Sequence, residues 1–433
     1  MELRHYPAGQ GESVFSVEAN TVRFGAGALA EAGSAARELG MSRVALFTDP
    51  RLAKLPAVAE VLASLKSAGL DAVLYSECRV EPTDKSFLTA AEFFKQGGFN
   101  GAVSVGGGSV MDTAKAALLY AAHPAPFLDY VALPYGQAKP VPGPLPPHIA
   151  CPTTAGTGSE CTGVTVFDFE GQGIKTVVAH KRLRPSLALI DPTVTHTLPA
   201  GVVAATGFDV LTHAIESYTA RPFTSRDKPS ANAPRPMSQG ANPWSDMGSL
   251  AAIALGGRFL ERAVRSADDH EARHQVMYGA TLAGIAFGNS GVHIPHAMSY
   301  AVAGLCHTYT ASGYEAVPPM VPHGISVVLN APAAFRFTAS ACPERHLEAA
   351  QTLGADIKGA KPEDGGDILS SHLATLMKAT GIPNGLSALG YGEKDLDALA
   401  KGASTQPRLL VNSPRPLGEP ELREIFKNSL KLW

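Results

Sequence analysis

The stretch Gly101-Ala102-Val103-Ser104-Val105-Gly106-Gly107-Gly108-Ser109 decides the fold. Its first half is a short apolar run with β-branched residues, which predicts a buried strand rather than a helix. Gly106, Gly107, Gly108 and Ser109 then lead into a helical pattern whose first turns carry Asp112 and Lys115. Glycines at such a turn let the backbone approach a pyrophosphate closely, and the N–H groups that open a helix favour its negative charge. The spacing is not G-x-G-x-x-G, so a plain strand-to-helix connection accounts for the turn equally well.

Working outward, further strands are predicted at residues 44–49, 72–75, 149–151, 164–169, 176–178 and 187–190, with helical patterns over 58–68 and 87–96. Strands alternating with helices imply β-α-β units and a parallel sheet. Asp191-Pro192 closes this part, and residues 1–197 read as an α/β dinucleotide-binding domain. From Leu198 the texture becomes Ala-, Leu- and His-containing with helical periodicity, so residues 198–433 read as an all-α domain. Two irregular segments interrupt it, 221–243 and 305–322, both long for connections in a compact domain.

At 433 residues the chain is long enough for two cores, and 45% hydrophobic against 17% charged residues describes a compact soluble protein. A formal net charge of −3 without a dense basic stripe excludes nucleic acid and anionic membranes as expected partners. No apolar run is long enough to span a bilayer. Cys78, Cys151, Cys161, Cys306 and Cys342 are odd in number and scattered, which points to a reducing compartment. With no apolar leader and no acid-poor transit pattern, the expectation is a cytoplasmic protein.

A second small-residue loop, 152–160, follows a predicted strand and offers the hydroxyls of Thr153, Thr154 and Thr157 to a phosphate, ribose or nicotinamide. Asp49, at the end of a strand, stands where a carboxylate accepts hydrogen bonds from the adenosine ribose and repels a 2′-phosphate, favouring NAD over NADP. It reads equally as the first residue of an Asp-Pro turn. Lys175 could donate to a ribose hydroxyl, or be a solvated surface lysine.

Gly207-Phe208-Asp209-Val210-Leu211-Thr212-His213 supplies the second theme. Residues four apart on a helix share a face, so Asp209 and His213 would present an oxygen and a nitrogen to one point. His296 and His323, the latter in Pro322-His323-Gly324, could complete a shell of one oxygen and three nitrogens. Such a shell suits Fe(II) or Zn(II) with room for a substrate oxygen. His293 and His307 read as ordinary core histidines. Tyr300, four residues after His296, could relay a proton or orient a substrate, or be a buried aromatic with a satisfied hydroxyl. Arg221, Arg226, Lys228 and Arg235 against Asp227 make segment 221–243 basic; one of them could clamp a substrate carboxylate, although a solvated surface loop is the more ordinary reading.

Across nearly the whole chain these blocks resemble the group III, iron-containing alcohol dehydrogenase family. The resemblance rests on 106–109 with Asp112 and Lys115, 152–160, Asp191-Pro192, 207–218, His296-Ala297-Met298, 322–324 and 412–417. It implies a dehydroquinate synthase-like architecture, NAD(P), and a divalent metal in the cleft between an α/β and a helical domain, held by Asp209, His213, His296 and His323. Segment 221–243, residues 293–300 and the wide spacing to His323 look most like the hydroxyacid-oxoacid transhydrogenase branch. That branch interconverts 4-hydroxybutyrate and succinate semialdehyde, coupled to 2-oxoglutarate and 2-hydroxyglutarate. Many simpler members carry histidine where Tyr300 stands, which puts their proton route in question here. The expected ligands are therefore a small alcohol, aldehyde, hydroxyacid or oxoacid, with assembly as a homo-oligomer. A dehydroquinate synthase-like lyase is the rival. It would need more basic residues, for which Lys181-Arg182-Leu183-Arg184 is the dense candidate.

Overall fold

The computed structural model describes residues 6, 11–171, 174–230, 233, 235–306, 308–315 and 317–433. His307 lies outside them. The chain forms two compact units, one of residues 19–197 and one of residues 1–18 with 198–433. The sequence places the first 18 residues with the α/β domain. The described ones among them fall instead with the helical unit, where Tyr6 donates a 2.5 Å hydrogen bond to the buried Asp246 and Glu18 N–H bonds Asn289.

The α/β unit runs β1 (Thr21–Phe24), α1 (Ala32–Glu38), β2 (Arg43–Phe47), α2 (Pro56–Ser67), β3 (Asp71–Tyr75), α3 (Asp84–Gly97), β4 (Gly101–Gly106), α4 (Gly108–Ala122), β5 (His148–Pro152), β6 (Val164–Phe169), β7 (Ile174–Ala179) and β8 (Leu187–Ile190). Six strands form one sheet in the order β1-β8-β5-β4-β2-β3, every pair parallel. Strand alternation sorts the side chains. Val44, Leu46, Val103 and Val105 pack with α1 and α2, while Ala45, Phe47 and Ala102 pack with α3 and α4. The strands are thus covered on both faces, as parallel sheets require. β6 and β7 leave the sheet and pair antiparallel with each other.

The helical unit comprises α5 (Ala200–Thr219), α6 (Pro243–Arg265), α7 (His270–Ser290), α8 (Ile294–Leu305), α9 (His323–Val328), α10 (Ala331–Ala339), α11 (Pro343–Leu353), α12 (Gly365–Ala379), α13 (Leu396–Ser404), α14 (Pro407–Leu410) and α15 (Glu419–Asn428). Helix α5 is buried almost all round, the mark of a central core helix. Small residues let its neighbours approach. A Cβ on Gly207 would lie 2.2 Å from Leu260 of α6, and one on Gly324 would lie 1.8 Å from the carbonyl oxygen of Ala205. Among the described residues no helix is long and apolar enough to cross a membrane. The five cysteines are free thiols.

Candidate metal centre and nucleotide cradle

The central helix presents its acidic and imidazole groups along one face. Asp209, His213 and Glu216 recur at helical spacing in α5, and all three are buried. His296 sits in the first turn of α8, which Pro295 opens, and His323 begins α9. Asp209 Oδ1 lies 3.7 Å from His213 Nδ1, 3.6 Å from His296 Nε2 and 3.7 Å from His323 Nε2. The ligand atoms of Asp209, His213 and His296 all fall within 4.8 Å of one another.

Polar accounting supports a cation at this point. Asp209 Oδ1, His213 Nδ1 and His296 Nε2 are buried, with no hydrogen-bond partner among the described residues. Leaving three such atoms dry is costly, and a divalent ion bound by all three removes that cost. One carboxylate oxygen with imidazole nitrogens suits Fe(II) or Zn(II). The side chain of His323 is 31% exposed, which leaves the centre open on that side. Catalytic metal sites need an open side of this kind.

Glu216 is the residue that reading the sequence missed. Its carboxylate bonds His296 Nδ1 and accepts the backbone N–H of His293 at 2.8 Å. A carboxylate on the far nitrogen of an imidazole fixes its tautomer and aims the other nitrogen. A buried acid three residues after His213 on the same face was the available signal. His213 is held differently, stacked on Phe287 at 4.0 Å and nearly coplanar with it. Burial lowers the His213 pKa to about 3, keeping that imidazole neutral and ready to ligate. Burial also opposes protonation of His296, but Glu216 and Asp209 overcome it and raise its pKa to about 9. His293 is a core histidine, its Nε2 3.2 Å from Thr219 Oγ1.

A pH prediction follows from His296. In the metal-free protein it keeps its proton below its raised pKa, and a ligand must lose its proton to bind a metal. Zn2+ affinity, measured by competition with a chelator, should therefore tighten roughly tenfold per unit between about pH 6 and about pH 8. Affinity that stays flat over this range would show that His296 is not a ligand.

In the α/β unit, Gly106 of β4 pairs with Pro152 of β5, so the two predicted loops emerge side by side. Helix α4 starts at Gly108 with no side chain capping its first turn. A Cβ on Gly108 would lie 2.8 Å from Thr157, and one on Gly107 would lie 3.4 Å from Thr154. Gly107, Gly108, Ser109, Thr154 and Thr157 stay partly exposed, whereas Gly106 and Thr153 are buried, the latter giving its N–H to Gly106. The result is an accessible, uncapped helix start lined by hydroxyls, a fit for a pyrophosphate.

Two predicted nucleotide contacts, Asp112 and Lys175, have other work. Asp112 is buried, with one oxygen on Ser159 Oγ at 2.7 Å and the other on Val166 N–H at 2.8 Å. Lys115 bonds Ser159 Oγ and Val164 O. Together they tie α4 to the second loop, so Asp112 is a strut behind the cradle. Lys175 is also buried, paired with Glu81 and 2.8 Å from Asp168, and those carboxylates outweigh burial to raise its pKa. Neither a ribose contact nor a solvated lysine describes it. Asp49 caps the turn after β2, accepting from Arg51 N–H and Leu52 N–H through Oδ1.

The basic segment likewise turns inward. Arg221 bonds the carbonyls of Val411 and Ser225, Arg226 that of Ser238, and Arg235 pairs with Glu12. These arginines tie down their own loop and are not poised as a clamp. Tyr300 is buried in α8, its hydroxyl oxygen 2.7 Å from Arg408 Nη2.

Comparison with known proteins fits this arrangement. The iron-containing alcohol dehydrogenase profile matches residues 19–192, and the profile for the C-terminal part of the Fe-containing alcohol dehydrogenase family matches residues 236–430. The chain belongs to this family. It is 47% identical to the mitochondrial hydroxyacid-oxoacid transhydrogenase of Rattus norvegicus, over 97% of this chain and 90% of that one. Among solved structures, 1,3-propanediol oxidoreductase superposes with a TM-score of 0.84 at 29% identity, covering 96% of this chain and 100% of the other. The NAD+ complex of sulfoacetaldehyde reductase from Bifidobacterium kashiwanohense gives 0.78 at 25%, covering 96% and 98%.

The protein is therefore a metal-dependent oxidoreductase of the iron-containing alcohol dehydrogenase family, in its hydroxyacid-oxoacid transhydrogenase branch. It has the dehydroquinate synthase-like fold and uses a nicotinamide cofactor. The lyase reading falls, and Arg184 of its basic run is bonded to the carbonyl of Cys161. The cytoplasmic expectation is also overturned. Relatives that match nearly the whole chain are named as mitochondrial enzymes.

Proposed function

We propose that this protein is a hydroxyacid-oxoacid transhydrogenase that oxidises 4-hydroxybutyrate and reduces 2-oxoglutarate, keeping NAD bound between the two half-reactions. The observation that carries the chemistry is the convergence of three buried, unpartnered ligand atoms on one point. The choice of substrates leans on the transhydrogenase relatives.

Asp209, His213, His296 and His323 would hold the metal, Fe2+ by family and Zn2+ as the alternative. When bound, the cation supplies Lewis acidity toward a substrate oxygen, and the nicotinamide supplies a hydride acceptor. Glu216 keeps His296 in the ligating tautomer, and Phe287 keeps the His213 ring in plane. Gly107, Gly108, Ser109, Thr154 and Thr157 would seat the pyrophosphate, with Gly106 and Thr153 shaping the turn beneath. Asp49 keeps one carboxylate oxygen beyond its turn for the ribose, which favours NAD over NADP. The Tyr300 oxygen already accepts from Arg408, so its own O–H is left to donate toward a substrate oxygen. The reading includes assembly as a homo-oligomer.

An anaerobic assay of the Fe2+-loaded protein with 4-hydroxybutyrate tests it. Succinate semialdehyde should form only when 2-oxoglutarate is present, without a requirement for added NAD. Accumulation of free NADH in the absence of any oxoacid would instead make this an ordinary dehydrogenase.

A further inference from the structure

A carboxylate-bearing substrate needs a cation, and Arg221, Arg226 and Arg235 of the basic segment are bonded to carbonyls of their own loop, to that of Val411 and to Glu12. Another arginine offers one. Arg408 lies in the short helix α14 and is half-buried. Its guanidinium donates to the Tyr300 hydroxyl at 2.7 Å and sits over the Tyr300 ring, 5.6 Å from the centroid. Among the described residues no carboxylate pairs with it. The contrast with Arg345 is instructive, because that guanidinium is buried against both oxygens of Asp246. The half-exposed guanidinium of Arg408 has donors to spare beyond the one given to Tyr300.

Its position relative to the metal centre follows from the helix that carries Tyr300. Tyr300 is four residues after His296 in α8, so it stands on the same face, a rise of about 6 Å along the axis. That face therefore carries both the His296 imidazole and, about one turn on, the Tyr300 ring on which Arg408 rests. Helix α13 fixes this arrangement by packing on α8, where a Cβ on Gly402 would lie 2.9 Å from the Ala301 Cβ, and the chain then turns through buried Gln406 into α14.

We propose that Arg408, oriented by Tyr300, binds the substrate carboxylate and so makes the site select hydroxyacids over neutral alcohols. Guanidinium and carboxylate match in a two-point geometry that lysine cannot reproduce. In this role Arg408 is a specificity residue and Tyr300 its positioning partner. The proposal rests on the transhydrogenase reading for its substrate, but carboxylate binding can be tested apart from turnover.

The test compares Fe2+- and NAD-loaded wild type with Arg408→Leu, Arg408→Gln and Arg408→Lys. The ratio of kcat/KM for 4-hydroxybutyrate to that for butan-1-ol should fall about thirtyfold or more in the leucine and glutamine variants and recover in part with lysine. Calorimetric titration with succinate, which cannot be oxidised at a hydroxyl, should show binding to wild type and its loss in the same two variants. Arg408→Gln keeps a donor for Tyr300 and decides the matter should the leucine variant not fold. An unchanged substrate ratio overturns the proposal, as does a loss confined to NAD affinity, which would place Arg408 on the nucleotide. Should wild type fail to oxidise the hydroxyacid, the transhydrogenase reading falls. Succinate binding that depends on Arg408 would still uphold the carboxylate site, and its absence would end it.

Discussion

Replacing Asp209 with alanine is expected to lower kcat/KM at least about a thousandfold, because the lost oxygen is the one toward which His213, His296 and His323 all turn. The carboxylate lies wholly inside the protein, yet one of its oxygens makes no hydrogen bond among the described residues. Its burial is thus poorly justified by folding alone. The metal-free variant should lose some stability, because the protonated His296 loses the carboxylate that faces it, while its metal content after loading falls close to nil. Metal analysis with thermal unfolding separates the two effects. Normal metal content with full activity would remove α5 from the centre of this account.

The second large effect is expected at Gly324, next to His323. A methyl group there would meet the Ala205 carbonyl at 1.8 Å and the Asp209 Cβ at 3.1 Å, so Gly324→Ala must push α9 away from α5. Backbone atoms cannot rotate out of the way as a side chain can, so destabilisation should reach about 3 kcal/mol. The displacement would move His323 and Asp209 apart and weaken metal binding as well. Denaturant unfolding and a metal titration on the same preparation would report both. A variant as stable as wild type would mean that the two helices separate without cost.

Much of this was legible in the chain. Buried parallel strands announce themselves as short β-branched runs, and Gly101–Gly106 with its glycine turn is where the reading needed least help. β1 escaped because Thr21–Phe24 is a four-residue edge strand with mixed exposure and no clear apolar pattern. That β6 and β7 pair with each other and not with the main sheet depends on partners that local composition does not name. At the candidate site, a helical period was enough to put Asp209 and His213 together. Glu216 has the same period but was passed over, because an acid on a helix ordinarily faces water. Lys175 misled in the same way. Arg408 could not have been found at all, since its partner Tyr300 lies 108 positions away. Charge density drew attention to Arg221, Arg226 and Arg235, and density says nothing of which guanidiniums are already occupied.

The division of the chain at residues 18 and 197 also bears on how the protein is made. The α/β unit is an insertion between two pieces of the helical unit, so it leaves the ribosome complete and can close its sheet at once. Tyr6 and Glu18 cannot settle so early. Tyr6 must wait for Asp246, and Glu18 for Asn289, until more than half of the chain has followed. During synthesis the metal centre, built from α5, α8 and α9 after the α/β unit, is therefore among the later features to take shape.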